Sequence, residues 1–223
     1  MDIIKKLSSD VPFVGPETQE RKLGKKFMCR LGANESVFGP SANVIRAMQS
    51  CLEKDIWQYG DPENFDLKVA LSKKLKVNTE NIVIGEGIDA LLGYLVRLIV
   101  NKKTTVITSL GAYPTFNYHV NASGGQLVFV PYDNDHENLD ALLEAVKKND
   151  AKLVYLANPD NPMGTVHEGK KIDNFIQNLP NDCLLCLDEA YSDFAPRKYI
   201  PDVDTNNEKV IRLRTFSKAY GLA

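Results

Sequence analysis

The sequence predicts an α/β fold, a three-layer sandwich in which a mostly parallel central sheet is covered by helices on both faces. Three observations carry this. The strand-like runs are continuously apolar rather than alternating, as strands buried on both faces are. Segments of helical periodicity separate them. The most chemically distinctive residues follow directly after those runs, where ligands gather in such sheets.

The elements follow in order. Residues 1–30 read as an irregular N-terminal arm, with Val11-Pro12-Phe13-Val14-Gly15-Pro16 extended and Arg21 to Lys26 basic, and residues 31–223 read as the folded domain. Ser41 to Leu52 and Leu67 to Leu75 look helical. Ile82-Val83-Ile84 is a short apolar run, read as a strand, that ends at Gly85-Glu86-Gly87. A helix follows, with Leu91, Leu92, Leu95, Leu98 and Ile99 on one face. Thr104 to Thr108 is β-branched and strand-like, and Leu127 to Val130 is a strand stopped by Pro131. Leu139 to Lys148 reads as a helix. Lys152 to Leu156, Cys183 to Leu187 and Val210 to Leu213 are further short strands.

Composition narrows the function classes. Of 223 residues, 27 are basic and 29 acidic, for a net charge of -2, so no single-signed field favours a nucleic-acid or membrane-surface partner. The longest apolar stretch, Ala90 to Val100, is too short to span a bilayer and contains Arg97. Met1 to Lys6 lacks the apolar run of a signal peptide. Four cysteines in a chain of this length suit a reducing cytoplasm better than a disulfide scaffold. Cys183 and Cys186 spell C-x-x-C, but inside an apolar strand they read as core. His119, His136 and His167 are too scattered for a zinc site, and no metal is expected.

Four strand ends carry candidate chemistry. After Ile84, the Gly85-Glu86-Gly87-Ile88-Asp89 turn opens a helix whose free N–H groups and dipole suit a phosphate. A plain strand-to-helix turn reads equally well from these residues. After Leu156, Asn158-Pro159-Asp160-Asn161-Pro162-Met163-Gly164 is a turn more constrained than linkage requires. After Leu187, Asp188 is a carboxylate that needs a positive partner if buried, or else an N-cap. After Leu213, Thr215-Phe216-Ser217-Lys218-Ala219-Tyr220-Gly221 places a lysine among hydroxyls and aromatics. A lysine alone is most often a solvated surface residue. Together, an acid, a tyrosine, an asparagine and a lysine near a phosphate nest are what a pyridoxal phosphate site requires: a lysine to form a Schiff base and an acid to keep the pyridine nitrogen protonated.

From about Leu31 onward the sequence resembles the fold-type I pyridoxal phosphate enzymes of the class I/II aminotransferase group, and within it the histidinol-phosphate aminotransferases. The resemblance rests on Leu31-Gly32-Ala33-Asn34-Glu35-Ser36 with Phe38-Gly39-Pro40, Tyr59-Gly60-Asp61-Pro62, Gly85 to Asp89, Tyr113-Pro114, Asn158 to Gly164, Asp188 to Tyr191 and Ser217-Lys218. It implies the large domain of that fold. It also implies that Lys218 bonds the cofactor and shuttles a proton, that Asp188 holds the pyridinium, and that Tyr191 and Asn161 bond the phenolic oxygen of the ring. Tyr113 would stack on the ring, while Gly87, Ile88, Thr215 and Ser217 would hold the phosphate. Tyr59 matches a tyrosine that reaches the neighbouring subunit's site, which implies a homodimer. Asp160 and Met163 depart from the usual Asn or Gln and Thr, Gln58 stands where a basic residue is frequent, and Glu86 is expected to point away from the phosphate nest.

The implied reaction moves an amino group between an amino acid or histidinol phosphate and a 2-oxo acid such as 2-oxoglutarate. Alternatives are a decarboxylase of the same fold and a non-catalytic protein that keeps the fold. A nicotinamide-binding module is weaker, because Gly85-Glu86-Gly87 lacks the third glycine. Family members continue well past the lysine into a smaller C-terminal domain, whereas this sequence ends five residues after Lys218. A fragment is therefore expected, with the carboxylate-binding arginine outside it and no turnover by these residues alone.

Overall fold

The computed structural model describes residue 7 and residues 13–223. The residues proposed to lack a signal peptide, Met1 to Lys6, and the Val11-Pro12 part of the extended segment lie outside the described residues. The arm is not irregular throughout: Pro16–Leu23 forms helix α1, with the proline in the first turn and Gly24 closing it in the left-handed region. Six further α-helices and five strands follow among the described residues. Helix α2 (Ala42–Asp55) is capped by the Ser41 hydroxyl, which accepts from Val44 N. Helix α3 spans Phe65–Leu75 and α4 spans Gly87–Ile99. Strand β1 (Thr105–Ser109) leads to α5 (Pro114–Ser123), β2 (Gln126–Val130) and α6 (Leu139–Lys148), which starts at an Asn138 cap. Strand β3 (Leu153–Ala157), helix α7 (Gly169–Asn178), β4 (Leu184–Asp188) and β5 (Val210–Leu213) complete the order.

The five strands form one sheet in the order β2-β1-β3-β4-β5, every pair parallel. The order reverses between β1 and β3, which opens a crevice at the carboxyl ends. Parallel pairing explains the unbroken apolar runs, since the inner strands β1, β3 and β4 are covered on both sides. Leu92, Leu95, Val96, Phe116 and Val120 of α4 and α5 pack with Leu153, Tyr155, Ala157 and Cys186 on one face. Leu142 and Val146 of α6 with Ile172, Phe175 and Ile176 of α7 pack with Ile107, Val154, Leu156, Leu185 and Leu187 on the other. Cys183 and Cys186 belong to opposite clusters, so the C-x-x-C spacing brings no thiol pair together.

One expectation is corrected, and two helices were not expected. Ile82–Ile84 follows a 3₁₀ turn at Thr79–Asn81 in extended conformation but joins no strand of the sheet among the described residues. Helices α5 and α7 were not legible from periodicity. The first is short and weakly amphipathic, its proline at the start reading as a breaker; the second buries Ile172, Phe175 and Ile176 from an otherwise polar segment. Among the described residues, no helix is long and apolar enough to cross a membrane.

Candidate active site

Strand β4 ends on Asp188, whose residue is only 7% exposed. Its Oδ2 accepts a 2.7 Å hydrogen bond from the Tyr155 hydroxyl, and its Oδ1 accepts one of 2.9 Å from Ala190 N. Burial pushes the Asp188 carboxyl above the usual carboxylate range, while the Tyr155 and Ala190 donors and the Lys218 charge pull it back. Three residues on, the Tyr191 hydroxyl accepts from Asn34 Nδ2 at 2.9 Å. Burial is the leading cause that raises Tyr191 as well.

Past β5 the chain turns sharply. Ser217 N donates to Thr215 Oγ1 at 3.1 Å and the two hydroxyls lie 2.9 Å apart, so both face one side of the turn. Lys218 follows, half-buried. Its Nζ donates to the Ala33 carbonyl at 3.4 Å and lies 5.9 Å from the Tyr191 ring centroid. Gly221 closes the turn at φ 65°, and a Cβ there would come within 2.6 Å of the Gly39 carbonyl carbon. The Ala33-Asn34 and Phe38-Gly39-Pro40 segments are thereby brought against the lysine turn across the whole length of the chain.

Helix α4 begins at Gly87 with no side-chain cap. Gly87 takes φ 77°, and its amide donates to Gly85 O at 2.9 Å, leaving the Ile88 and Asp89 amides as the open donors of the first turn. Glu86 accepts from the Tyr94 hydroxyl, two turns along the helix, at 3.1 Å, which directs its carboxylate along the helix flank. Tyr113 occupies the cap position of α5. In the turn after β3, Asn158 spends its polar groups on the protein: Nδ2 donates to the carbonyls of His167 and Tyr199, and Oδ1 accepts from His167 N. Asp160 is buried and accepts from the Tyr132 hydroxyl at 3.0 Å; burial raises its carboxyl. These bonds pin both flanks of Asn161.

The arginines nearest the lysine are committed. Arg212 grips Glu189 with two donors, and Arg214 Nε lies 3.1 Å from the same carboxylate, which is itself 1% exposed. Arg30 pairs with Glu17 and Glu35.

The family model for aminotransferase class I and II matches residues 27–223. The chain belongs to that family. Its curated relatives include the histidinol-phosphate aminotransferases of Moorella thermoacetica, 35% identical over 96% of this chain and 56% of theirs, and of Lactiplantibacillus plantarum, 33% identical over 99% and 63%. A crystal structure of histidinol-phosphate aminotransferase from Sinorhizobium meliloti with pyridoxal-5'-phosphate superposes with a TM-score of 0.94 at 53% identity, covering 99% of this chain and 59% of that one. The Rhizobium meliloti aspartate aminotransferase shares the fold, with a TM-score of 0.76 at 17% identity, over 92% of this chain and 55% of its own. The chain thus spans a little over half the length of the relatives it matches.

Within this class I and II aminotransferase chain, Asp188, Tyr191, Thr215, Ser217 and Lys218 gather at the carboxyl ends of β4 and β5. Asn161 follows β3, Tyr113 follows β1 and the Ile88 amide lies in the first turn of α4, whereas the Gly87 amide, expected to hold phosphate, is spent on the Gly85 carbonyl. Tyr59 is not gathered with them: it is 103% exposed. Sequence reasoning gave no role to Asn34 or Tyr155. Asn34 had been noticed only as part of a motif, and its φ of 52° is a further mark of a constrained position. Tyr155 had a signal that went unused, because a tyrosine within the aliphatic run Leu153-Val154-Tyr155-Leu156 must find a partner for its hydroxyl.

Proposed function

We propose that the protein is a pyridoxal-phosphate-dependent aminotransferase that moves an amino group between histidinol phosphate, or a related amino acid, and a 2-oxo acid such as 2-oxoglutarate. The observation that carries this is a buried acid beside a half-buried amine: Asp188 at the end of β4 and Lys218 just past β5. A carboxylate this buried calls for a cationic partner beyond its two neutral donors, and a protonated ring nitrogen is one. The donor set suits the rest of the cofactor, with hydroxyls at Thr215 and Ser217 and open amides at Ile88 and Asp89 for a phosphate, as well as Tyr113 for an aromatic face.

When bound, pyridoxal phosphate supplies an aldehyde that exchanges an amino group and a ring that accepts electrons. Asp188 would hold the ring nitrogen and its proton. Lys218 would anchor the aldehyde carbon and, once free, carry a proton to and from the substrate Cα. Tyr191, held by Asn34, and Asn161 would donate to the phenolic oxygen. The relatives named above supply the substrate class. Because Arg212 and Arg214 are held by Glu189, the substrate carboxylate would be bound by a group other than these two.

A homodimer fits the exposure of Tyr59, which would reach the neighbouring subunit's cofactor, and of Phe38 and Trp57 at 95% and 79%. A cytoplasmic setting fits four free cysteines. Residues 31–223 would form the cofactor-binding domain and residues 1–30 its arm.

The test is a panel of amino donors, histidinol phosphate among them, offered to the cofactor-loaded full-length protein with 2-oxoglutarate, followed by borohydride reduction. Keto product with a pyridoxyl group on the Lys218 peptide is expected. Carbon dioxide release without keto product would replace transamination by decarboxylation, and a pyridoxyl group on any other lysine would remove Lys218 from its role.

A further inference from the structure

Tyr155 lies in the middle of β3, the central strand, and is 0% exposed. It pairs with Cys186 of β4, two residues before Ala157 pairs with Asp188, so in this parallel register Tyr155 and Asp188 face the same side of the sheet. The ring is fixed from above by Phe116 of α5, stacked at 4.6 Å between centroids and 20° between planes. From its place on the sheet the hydroxyl donates to Asp188 Oδ2, 2.7 Å away. Ala190 N grips the other oxygen. The carboxylate is held from two directions and can neither rotate nor lose one contact without leaving a buried phenol unpaired.

We propose that Tyr155 is a positioning residue for the reaction: its hydroxyl fixes the Asp188 carboxylate and keeps it ionised, so that the proton it shares with a bound ring nitrogen stays on nitrogen. This rests on the function proposed above and deepens it. A phenol that donates to the charged form of an acid makes that acid a weaker base. Without the donor, a buried carboxylate opposite a pyridinium relaxes toward the neutral pair, with the proton on oxygen, and the ring becomes a poorer electron acceptor. Packing alone does not require the hydroxyl, because a phenylalanine would keep the stack on Phe116.

The groups that face Asp188 are few. From β3 comes Tyr155, from β4 itself Cys186, from the following turn Glu189 and Tyr191, and from the lysine turn Lys218, while Glu137 also feels its charge. Of the uncharged groups among the described residues, Tyr155 and Ala190 donate to it directly, and of these two Tyr155 can be altered without touching the backbone.

The test compares unsubstituted protein, Tyr155→Phe and Phe116→Leu. The first readout uses no cofactor: the Asp188 carboxyl is titrated by NMR with labelled aspartate, and it should titrate at higher pH in Tyr155→Phe. The second uses cofactor labelled at the ring nitrogen. Its resonance should move toward the unprotonated position in Tyr155→Phe, while a ring-fluorinated tyrosine at position 155, a stronger donor, should move it the other way. In turnover, Tyr155→Phe should lose roughly tenfold in kcat with the donor KM little changed. Phe116→Leu should lower thermal stability without moving the nitrogen resonance. An unchanged nitrogen resonance and kcat in Tyr155→Phe overturns the proposal, as does the same spectral shift in Phe116→Leu. Failure of the unsubstituted protein to bind cofactor overturns the function reading instead, and is seen separately because the first readout does not depend on it.

Discussion

The sheet and the segment that precedes it are built on opposite terms. From Leu92 onward the chain buries its own apolar side chains, with Leu92, Val96, Ile107, Leu153, Leu156, Leu185 and Leu187 fully or almost fully enclosed. Before Leu92, no residue whose burial is described reaches the buried class. Met28, Leu31, Phe38, Ile56, Trp57, Tyr59 and Phe65 stand largely exposed there, although α2 has the apolar face of a helix meant to pack. Composition does not separate the two regions; the availability of a covering partner does. The difference teaches that the proposed catalytic frame, at the carboxyl ends of β4 and β5, rests on a core built from this chain's own side chains. The N-terminal segment reaches that frame at a few points, among them Asn34 on Tyr191, the Ala33 carbonyl on Lys218, Gly39 against Gly221 and Lys74 on the Tyr220 hydroxyl.

The sharpest way to test the first half of the comparison is to change chemistry without changing the core. Asp188→Asn keeps shape and its Ala190 contact, so the fold and cofactor binding should persist. Turnover should fall by ~10³ or more if several kcal/mol of charge stabilisation are lost. Steady-state rates beside cofactor absorbance check this, and a near-normal rate would mean another group protonates the ring.

Stability variants test whether the two regions differ as described. Leu156→Ala empties a fully enclosed site in β3 and should cost about 2–5 kcal/mol. Arg212→Ala leaves the Glu189 carboxylate buried with one weaker partner and should cost about 3–5 kcal/mol. Trp57→Ala removes a larger side chain yet should stay within about 0.5 kcal/mol in urea unfolding of the monomer, because that side chain is largely exposed. If association occurs through that surface, the same variant should weaken it, measured by sedimentation. Equal destabilisation by Trp57→Ala and Leu156→Ala would dissolve the comparison.

A pH effect of intermediate size belongs to the sheet alone. Glu137 is 1% exposed, accepts from Ser109 Oγ at 2.6 Å and from Ala157 N at 2.8 Å, and ties the ends of β1 and β3 together. Burial pushes its carboxyl up to about 8. An acid raised in the folded state holds a proton that the unfolded chain has already released, so stability declines as pH rises from about 4.5 toward 8 and levels off above. Glu137→Gln cannot titrate and should flatten that slope, seen in urea midpoints taken across the interval.

How much of this was legible beforehand follows from what each residue answers to. The strands and α6 were readable because a buried parallel strand and an amphipathic helix write their environment into consecutive residues, as Leu153 to Leu156 and Leu139 to Lys148 do. Lys218, Asp188 and Tyr191 were readable because they follow such strands. Ile82–Ile84 has the composition of a strand but pairs with no strand among the described residues, and composition cannot report a missing partner. Tyr155 and Asn34 act on residues 33 and 157 positions away, contacts that exist only once the sheet has formed.

The smallest effect expected marks the edge of the comparison. Each region holds a three-member cluster of arginine and carboxylate side chains. Arg212 and Arg214 meet on Glu189 beneath the site, whereas Arg30 lies 2.8 Å from Glu17 and 3.2 Å from Glu35 with all three side chains at least 40% exposed. Geometry alone would rank the two clusters as equals. Solvent separates them: water and salt screen the outer cluster, and its long side chains lose rotamer freedom to keep their contacts. Arg30 does hold the Glu17 carboxyl lower, but its own backbone hydrogen bond is the larger cause, and that bond survives removal of the arginine. Arg30→Ala should therefore leave the unfolding midpoint within experimental scatter, with what small shift there is vanishing in high salt, while Arg212→Ala keeps most of its effect in the same buffer. A loss at Arg30 that persists in high salt would show that the N-terminal segment is fastened to the sheet more firmly than its exposed side chains suggest.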